Sequence, residues 1–159
     1  MDIIEFPERH YVGARRTVTM DAFAQIADRL PEVLAWLTER GGVPAGAPFF
    51  RFHHLGSDGN VDVEVGWPVA EPVAGEGEIF AATLPAGRYA SETHVGHPDR
   101  LFAAIEALQA TPGLDFDLRQ AADGEHWGSR LEIYKTDPEE QPDMTKWEVE
   151  LQFRLRDPA

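Results

Sequence analysis

Glu132 and Tyr134, in the run Leu131-Glu132-Ile133-Tyr134, are the side chains whose types and spacing best suit chemistry. Alternate residues of a strand point to opposite faces. Leu131 and Ile133 suit a face covered by helices, which turns Glu132 and Tyr134 to the other face. Phe49-Phe50-Arg51-Phe52 reads as the matching strand of an earlier, similar half. Pairing Phe50 with Glu132 and Phe52 with Tyr134 uses one offset of 82 positions (132 − 50). One carboxylate thus stands where its twin is aromatic. If the halves meet on that face, the acid sits among Phe50, Phe52 and Tyr134, with Tyr11, Tyr89, Trp67 and Trp147 as further wall candidates. A carboxylate so placed resists ionisation unless a cation or donors accompany it. It can hold a hydrophobic cation through charge and ring faces, each ring contributing about 0.5–2 kcal/mol. It can also act as a general base on water. The plainer alternative is a solvated acid on a sheet face, paired with Lys135 or an arginine.

Other chemistries lack their residues. The chain has no cysteine, which removes disulfides and thiolate ligands. No serine stands in a Gly-x-Ser-x-Gly context. The glycines of Gly41-Gly42-Val43-Pro44-Ala45-Gly46 lack the Lys-Ser/Thr of a phosphate loop and read as a linker. Six histidines invite a metal reading, but His53 and His54 are adjacent and point to opposite faces in a strand. His94 and His97 span a strand-to-helix junction with no third ligand beside them, so no metal site and no cofactor are expected. Trp36 reads as core, Trp127 is placed by nothing around it, and Trp67 and Trp147 each share a strand face with valines.

The elements that must carry Glu132 form a unit written twice. Phe6-Pro7-Glu8-Arg9-His10-Tyr11-Val12 reappears as Leu84-Pro85-Ala86-Gly87-Arg88-Tyr89-Ala90, 78 positions on (84 − 6). Val61–Val69 is echoed by Trp147–Leu155, 86 positions on (147 − 61). The repeats run roughly over 3–70 and 78–155 of a single domain, 1–159. In the first, 9–19 reads as a strand. Phe23, Ile26, Leu30, Val33, Leu34 and Leu37 then recur at helical steps. Pro31 predicts either a kink or a second helix starting near it. Strands 49–54 and 61–69 follow, turning at Ser57-Asp58-Gly59-Asn60, and Pro68 confines the second to an edge or strand end. The second repeat predicts strands 78–84 and 88–95, a helix over 97–110, a looped 111–125, and a last hairpin of 130–136 and 146–155. Each half is strand, helix, strand, strand: α+β, an antiparallel sheet with helices on one face, and a pseudo-two-fold seam where a groove belongs.

Charge narrows the partners. Asp and Glu number 28 against 14 Lys and Arg, a formal net charge of −14. Such a surface repels phosphate backbones and anionic membranes, so neither direct nucleic-acid nor membrane binding is expected. Met1-Asp2-Ile3-Ile4-Glu5 carries no basic segment and no apolar run, and no stretch approaches a membrane span, so a cytoplasmic location is expected. Oligomeric state is left open.

Three segments together resemble a known family: Asp62-Val63-Glu64-Val65-Gly66-Trp67-Pro68-Val69; Leu84–Ala90 with His94-Val95-Gly96 following; and Leu131-Glu132-Ile133-Tyr134-Lys135-Thr136-Asp137-Pro138 leading into Trp147-Glu148-Val149-Glu150-Leu151. Their order and spacing resemble the GyrI-like small-molecule-binding domain, which also serves as the effector-binding module of AraC-type and multidrug-responsive regulators. The resemblance covers nearly the whole chain. It departs at Arg154, where a proline is common, and over 111–127, which follows no family pattern. It implies a ligand groove at the seam served by an acid of a Glu-x-Tyr segment, here Glu132. It further implies a form without a helix-turn-helix, since the repeats use 3–155. The leading expectation is binding of a hydrophobic aromatic small molecule, cationic or neutral, such as a drug or toxin. Two alternatives follow from the same resemblance. One is a hydrolase opening cyclopropane-bearing DNA alkylators, with Glu132 activating water and Tyr134 or Tyr89 protonating the leaving group. The other is a gyrase-inhibitor-like protein-interaction role.

Overall fold

The β-branched and aromatic runs join one antiparallel sheet of ten strands. The computed structural model describes residues 1–158; Ala159 lies outside the described residues. The strands are β1 (Asp2–Phe6), β2 (Arg9–Thr19), β3 (Phe49–Gly56), β4 (Asn60–Pro68), β5 (Phe80–Leu84), β6 (Gly87–Val95), β7 (Leu118–Ala121), β8 (Gly124–Trp127), β9 (Arg130–Tyr134) and β10 (Glu148–Arg154). The main path runs β1-β6-β10-β9-β3-β4-β2-β5, with β7 and β8 as a side hairpin on β3. The helices are α1 (Ala24–Ala27), α2 (Arg29–Glu39) and α3 (Leu101–Gln109).

The two halves exchange their first strands. β1 leads into β2 yet pairs with β6, from Asp2↔Ser91 to Phe6↔Gly87, while β2 pairs with β5 from Arg9↔Leu84 to Gly13↔Phe80. The register continues across both corners, at Pro7-Glu8 and Pro85-Ala86. Each corner carries a proline, which cannot donate to a ladder. On the other side the halves meet through β3 and β9, where Phe50 pairs with Glu132. The sheet is therefore curled, and the pseudo-two-fold axis passes through the Phe50–Glu132 pair.

α2 packs on β2 and β4, and α3 on β6. Their apolar clusters lie on one face of the sheet. The first gathers Ile26, Val33 and Leu37 with Phe50, Phe52, Val63 and Val65. The second gathers Leu101, Ile105 and Leu108 with Leu151 and Phe153. Leu55 and Tyr134 touch both. A third cluster of Tyr11, Phe49, Leu84 and Leu131, flanked by Ile133, covers the opposite face at the seam. Gly66 permits this: a Cβ there would lie 2.4 Å from the Phe49 ring.

Three expectations are corrected. Leu131 and Ile133 face away from the helices, and Glu132 and Tyr134 lie on the helix-bearing face. Residues 111–125 are not wholly looped, since β7 and β8 form a hairpin that extends the sheet. The last strand begins after Trp147, so Trp147 does not share its face with valines. At Pro31 the chain takes the second of the two expected courses. A 3-10 turn (Met20–Ala22) and the single turn of α1 come first, and α2 starts at Arg29. Pro31 is its third residue, where no intrahelical donor is needed.

Candidate functional site

Glu132 sits in the middle of the helix-bearing face because β9 is central in the sheet. Its direct cross-strand neighbours are apolar on both sides, Phe50 on β3 and Leu151 on β10. The residue is 6% exposed. The Tyr134 hydroxyl donates to it at 3.1 Å, and its nearest cation is the Arg130 guanidinium at 4.0 Å. Burial pushes the Glu132 carboxyl up from its ordinary value, against the opposing pull of Arg130 and the Tyr134 hydrogen bond. Burial and the adjacent carboxylate likewise push the Tyr134 hydroxyl up, which keeps it a hydrogen-bond donor.

The rings expected around the acid divide by strand parity. Phe50 and Tyr134 meet edge-to-face at 5.2 Å, and Phe50 and Phe52 share the face of Glu132. Trp67 lies at the margin of the same cluster, its indole N–H donating to the Leu30 carbonyl at 2.8 Å, which pins the first turn of α2. Tyr11 and Tyr89 are on the opposite face and do not wall Glu132. Tyr11 packs on Phe49 and Phe80. Tyr89 packs on Phe6 and donates to the Pro85 carbonyl at 2.7 Å. Trp147 is spent elsewhere, its indole N–H donating to the Gln141 carbonyl and holding the 137–146 connection.

Two residues at the site escaped the sequence reading. Arg130 is 5% exposed and lies among the rings of Phe52, Phe153 and Trp127 at 5.1, 4.9 and 5.5 Å. Its Nε has no hydrogen-bond partner. Its position two residues before Glu132 on the same strand face was the available signal. Phe23 lies over Phe50 and Phe52 at 5.0 and 6.2 Å, the second contact nearly parallel. It joins the 3-10 turn to α1, neither of which has a side-chain cap. So short a helical segment has little stability of its own. Phe23 thus lies over Phe50 and Phe52 on a short helical segment without side-chain caps.

The reverse of the seam is polar at its centre. Glu64, 3% exposed, accepts from the Tyr11 hydroxyl at 2.5 Å and contacts His53. Arg51 donates to the Tyr11 oxygen at 3.0 Å and to the Gly128 carbonyl at 3.0 Å. Burial alone would raise the Glu64 carboxyl; His53, Tyr11 and Arg51 outweigh it and hold the group below its ordinary value. Beside this network a concavity of about 400 Å³ is lined by Phe49, Leu84, Leu131 and Ile133, with Arg9 and Gln152 at its polar edge. The seam therefore has an open side and a closed side, and Glu132 belongs to the closed one. Among the described residues no helix is long and apolar enough to cross a membrane.

Solved structures share the fold at low identity. EcmrR, in a complex with DNA, superposes with a TM-score of 0.73 at 21% identity, over 99% of this chain and 57% of that one. This chain thus spans little more than half of EcmrR. SAV2435 bound to tetraphenylphosphonium gives 0.65 at 13% identity, over 98% of this chain and 93% of that one. A hydrolase from Listeria innocua gives 0.65 at 13%, over 98% and 91%. No curated protein matches the sequence. The family model of the GyrI-like small molecule binding domain matches residues 1–156, the same span over which the two interlocked halves build their shared sheet, and the chain belongs to that family.

Proposed function

We propose that this domain binds a hydrophobic aromatic cation on the helix-bearing side of the seam, with Glu132 as charge partner and Phe50, Phe52 and Tyr134 as walls. The observation that carries this reading is a buried acid set between Phe50 and Leu151 whose nearest cation is 4.0 Å away. A carboxylate so enclosed keeps an unmet demand for positive charge, and a delocalised organic cation meets it with little loss of hydration. The fold shared with SAV2435, which holds tetraphenylphosphonium, supports the choice of ligand class. Entry requires Phe23 to leave Phe50 and Phe52.

Calorimetric titration with tetraphenylphosphonium tests the proposal. Binding is expected for the wild type and a loss of at least about tenfold for Glu132→Gln, the equivalent of 1.4 kcal/mol. Equal affinity in the two proteins would overturn it.

A second reading has its own observation. The raised carboxyl of Glu132 beside the Tyr134 hydroxyl places a base and an acid 3.1 Å apart, as hydrolysis of a strained electrophile requires. A fold shared with a hydrolase adds support. Mass spectrometry of a cyclopropane-bearing alkylator incubated with equimolar protein separates the two readings: a product gaining one water favours turnover, and unchanged compound leaves binding alone.

A further inference from the structure

We infer that His54, His126 and Asp123 form a binding site for a divalent transition-metal ion, zinc being the best match, that clamps the β7–β8 hairpin to β3. The three side chains come from different segments. His54 and His126 are directly opposed across the β3–β8 ladder, and Asp123 lies in the turn between β7 and β8. The two imidazoles stack with centroids 4.1 Å apart and planes within 10°. Both Nε2 atoms point at Asp123: His126 Nε2 is 2.9 Å from Oδ1, and His54 Nε2 is 3.0 Å from the backbone carbonyl and 3.8 Å from Oδ2. One donor atom from each residue lies within 4.8 Å of the other two.

The arrangement needs little adjustment. Tetrahedral zinc with bonds of about 2.0–2.1 Å places its ligand atoms roughly 3.3 Å apart. Side-chain rotations that widen the 2.9 Å His126–Asp123 approach and shorten the 3.8 Å His54–Asp123 one supply that spacing, because the side chains are 28%, 29% and 65% exposed. The backbone is already set: Ser57 N–H donates to the Asp123 carbonyl at 2.9 Å, which docks the turn on the β3–β4 connection. Asp58 adds negative potential near His54. Three protein ligands leave a fourth position for water or another small ligand, and the nitrogen and oxygen donors suit zinc, nickel or copper over calcium. The adjacent spacing of His53 and His54 concealed the site in the sequence, because the partner histidine comes from a hairpin 72 positions on (126 − 54).

Calorimetric titration of tag-free, chelator-treated protein with zinc chloride at about pH 7.5, where imidazole is neutral, gives the direct test. One ion per chain is expected, with affinity falling about tenfold or more in His54→Ala and in His126→Ala and unchanged in the remote His94→Ala. Hydrogen exchange supplies an independent readout, since zinc should slow the amides of residues 118–127. No saturable binding up to about 1 mM, the weak end of specific affinity, would overturn the inference. So would binding that both histidine variants retain, or unchanged exchange in the hairpin.

Discussion

Removing Phe23 should make the domain bind tetraphenylphosphonium more tightly while making the free protein less stable. Its ring lies 5.0 Å from Phe50 and 6.2 Å from Phe52. Each such aromatic pair contributes about 0.5–1.5 kcal/mol beyond area burial, so the two hold the cover down by about 1–3 kcal/mol. A ligand that must displace the ring binds only the fraction of molecules in which it has moved, and its apparent affinity is reduced by that fraction. Phe23→Ala releases this energy, tightening the apparent Kd by about 5- to 150-fold. The half-buried side chain puts the loss in unfolding free energy at about the same 1–3 kcal/mol, below the cost of truncating a fully buried phenylalanine. Calorimetry with tetraphenylphosphonium and urea denaturation of the same two proteins give both quantities. Weaker or equal binding in Phe23→Ala, alongside the stability loss, would show that Phe23 is part of the ligand's wall and refute the cover.

The two buried carboxylates should leave opposite marks on stability. Glu132 is raised when folded, so the folded state keeps its proton longer and stability falls as pH climbs above the ordinary carboxylate range. Glu132→Gln should match the wild type near pH 4 and exceed its melting temperature near pH 8; a lower value at pH 8 would contradict the sign. Glu64 is lowered, so its contribution is present at neutral pH and is lost as pH falls through its folded value. Glu64→Gln should therefore be less stable at pH 7 and converge with the wild type in acid, read from thermal melts across pH. Trp67→Phe removes the 2.8 Å hydrogen bond to the Leu30 carbonyl and should lower unfolding free energy by about 1 kcal/mol in urea.

The sequence disclosed the two-part antiparallel sheet, seven of its strands and the oddity of Glu132 opposite a phenylalanine, because each is written in local pattern or in an offset; β1 was not anticipated. It misled on which way Glu132 faces. Alternation shows which residues share a face but names the core face only when the other is wet. At the seam both faces carry apolar residues, under the helices on one side and with Tyr11, Phe49 and Leu84 on the other, so Leu131 and Ile133 look equally apolar in either orientation. The β7–β8 hairpin did have a signal. Asp123-Gly124 is a strong hairpin pair, and Gly124 adopts φ +124° there. Four-residue strands around it are too short for periodicity to rise above the surrounding polar residues. Arg130 was signalled only by its place beside Glu132 on one strand face, because the Phe52 and Phe153 rings that enclose its guanidinium come from other strands.

The direct pairing of positions 50 and 132 on the pseudo-dyad bears on how the domain could have arisen. A homodimer of one ancestral repeat would build the same interlaced sheet, but its axis would force both positions to be identical. Two glutamates there would oppose like charges in contact, and two phenylalanines would leave no negative charge to pair with a cation. Gene fusion lifts that constraint. Joined in one chain, two repeats can place one acid against one ring at their own axis of symmetry, so a single pair of positions is enough to break the equivalence of the two halves.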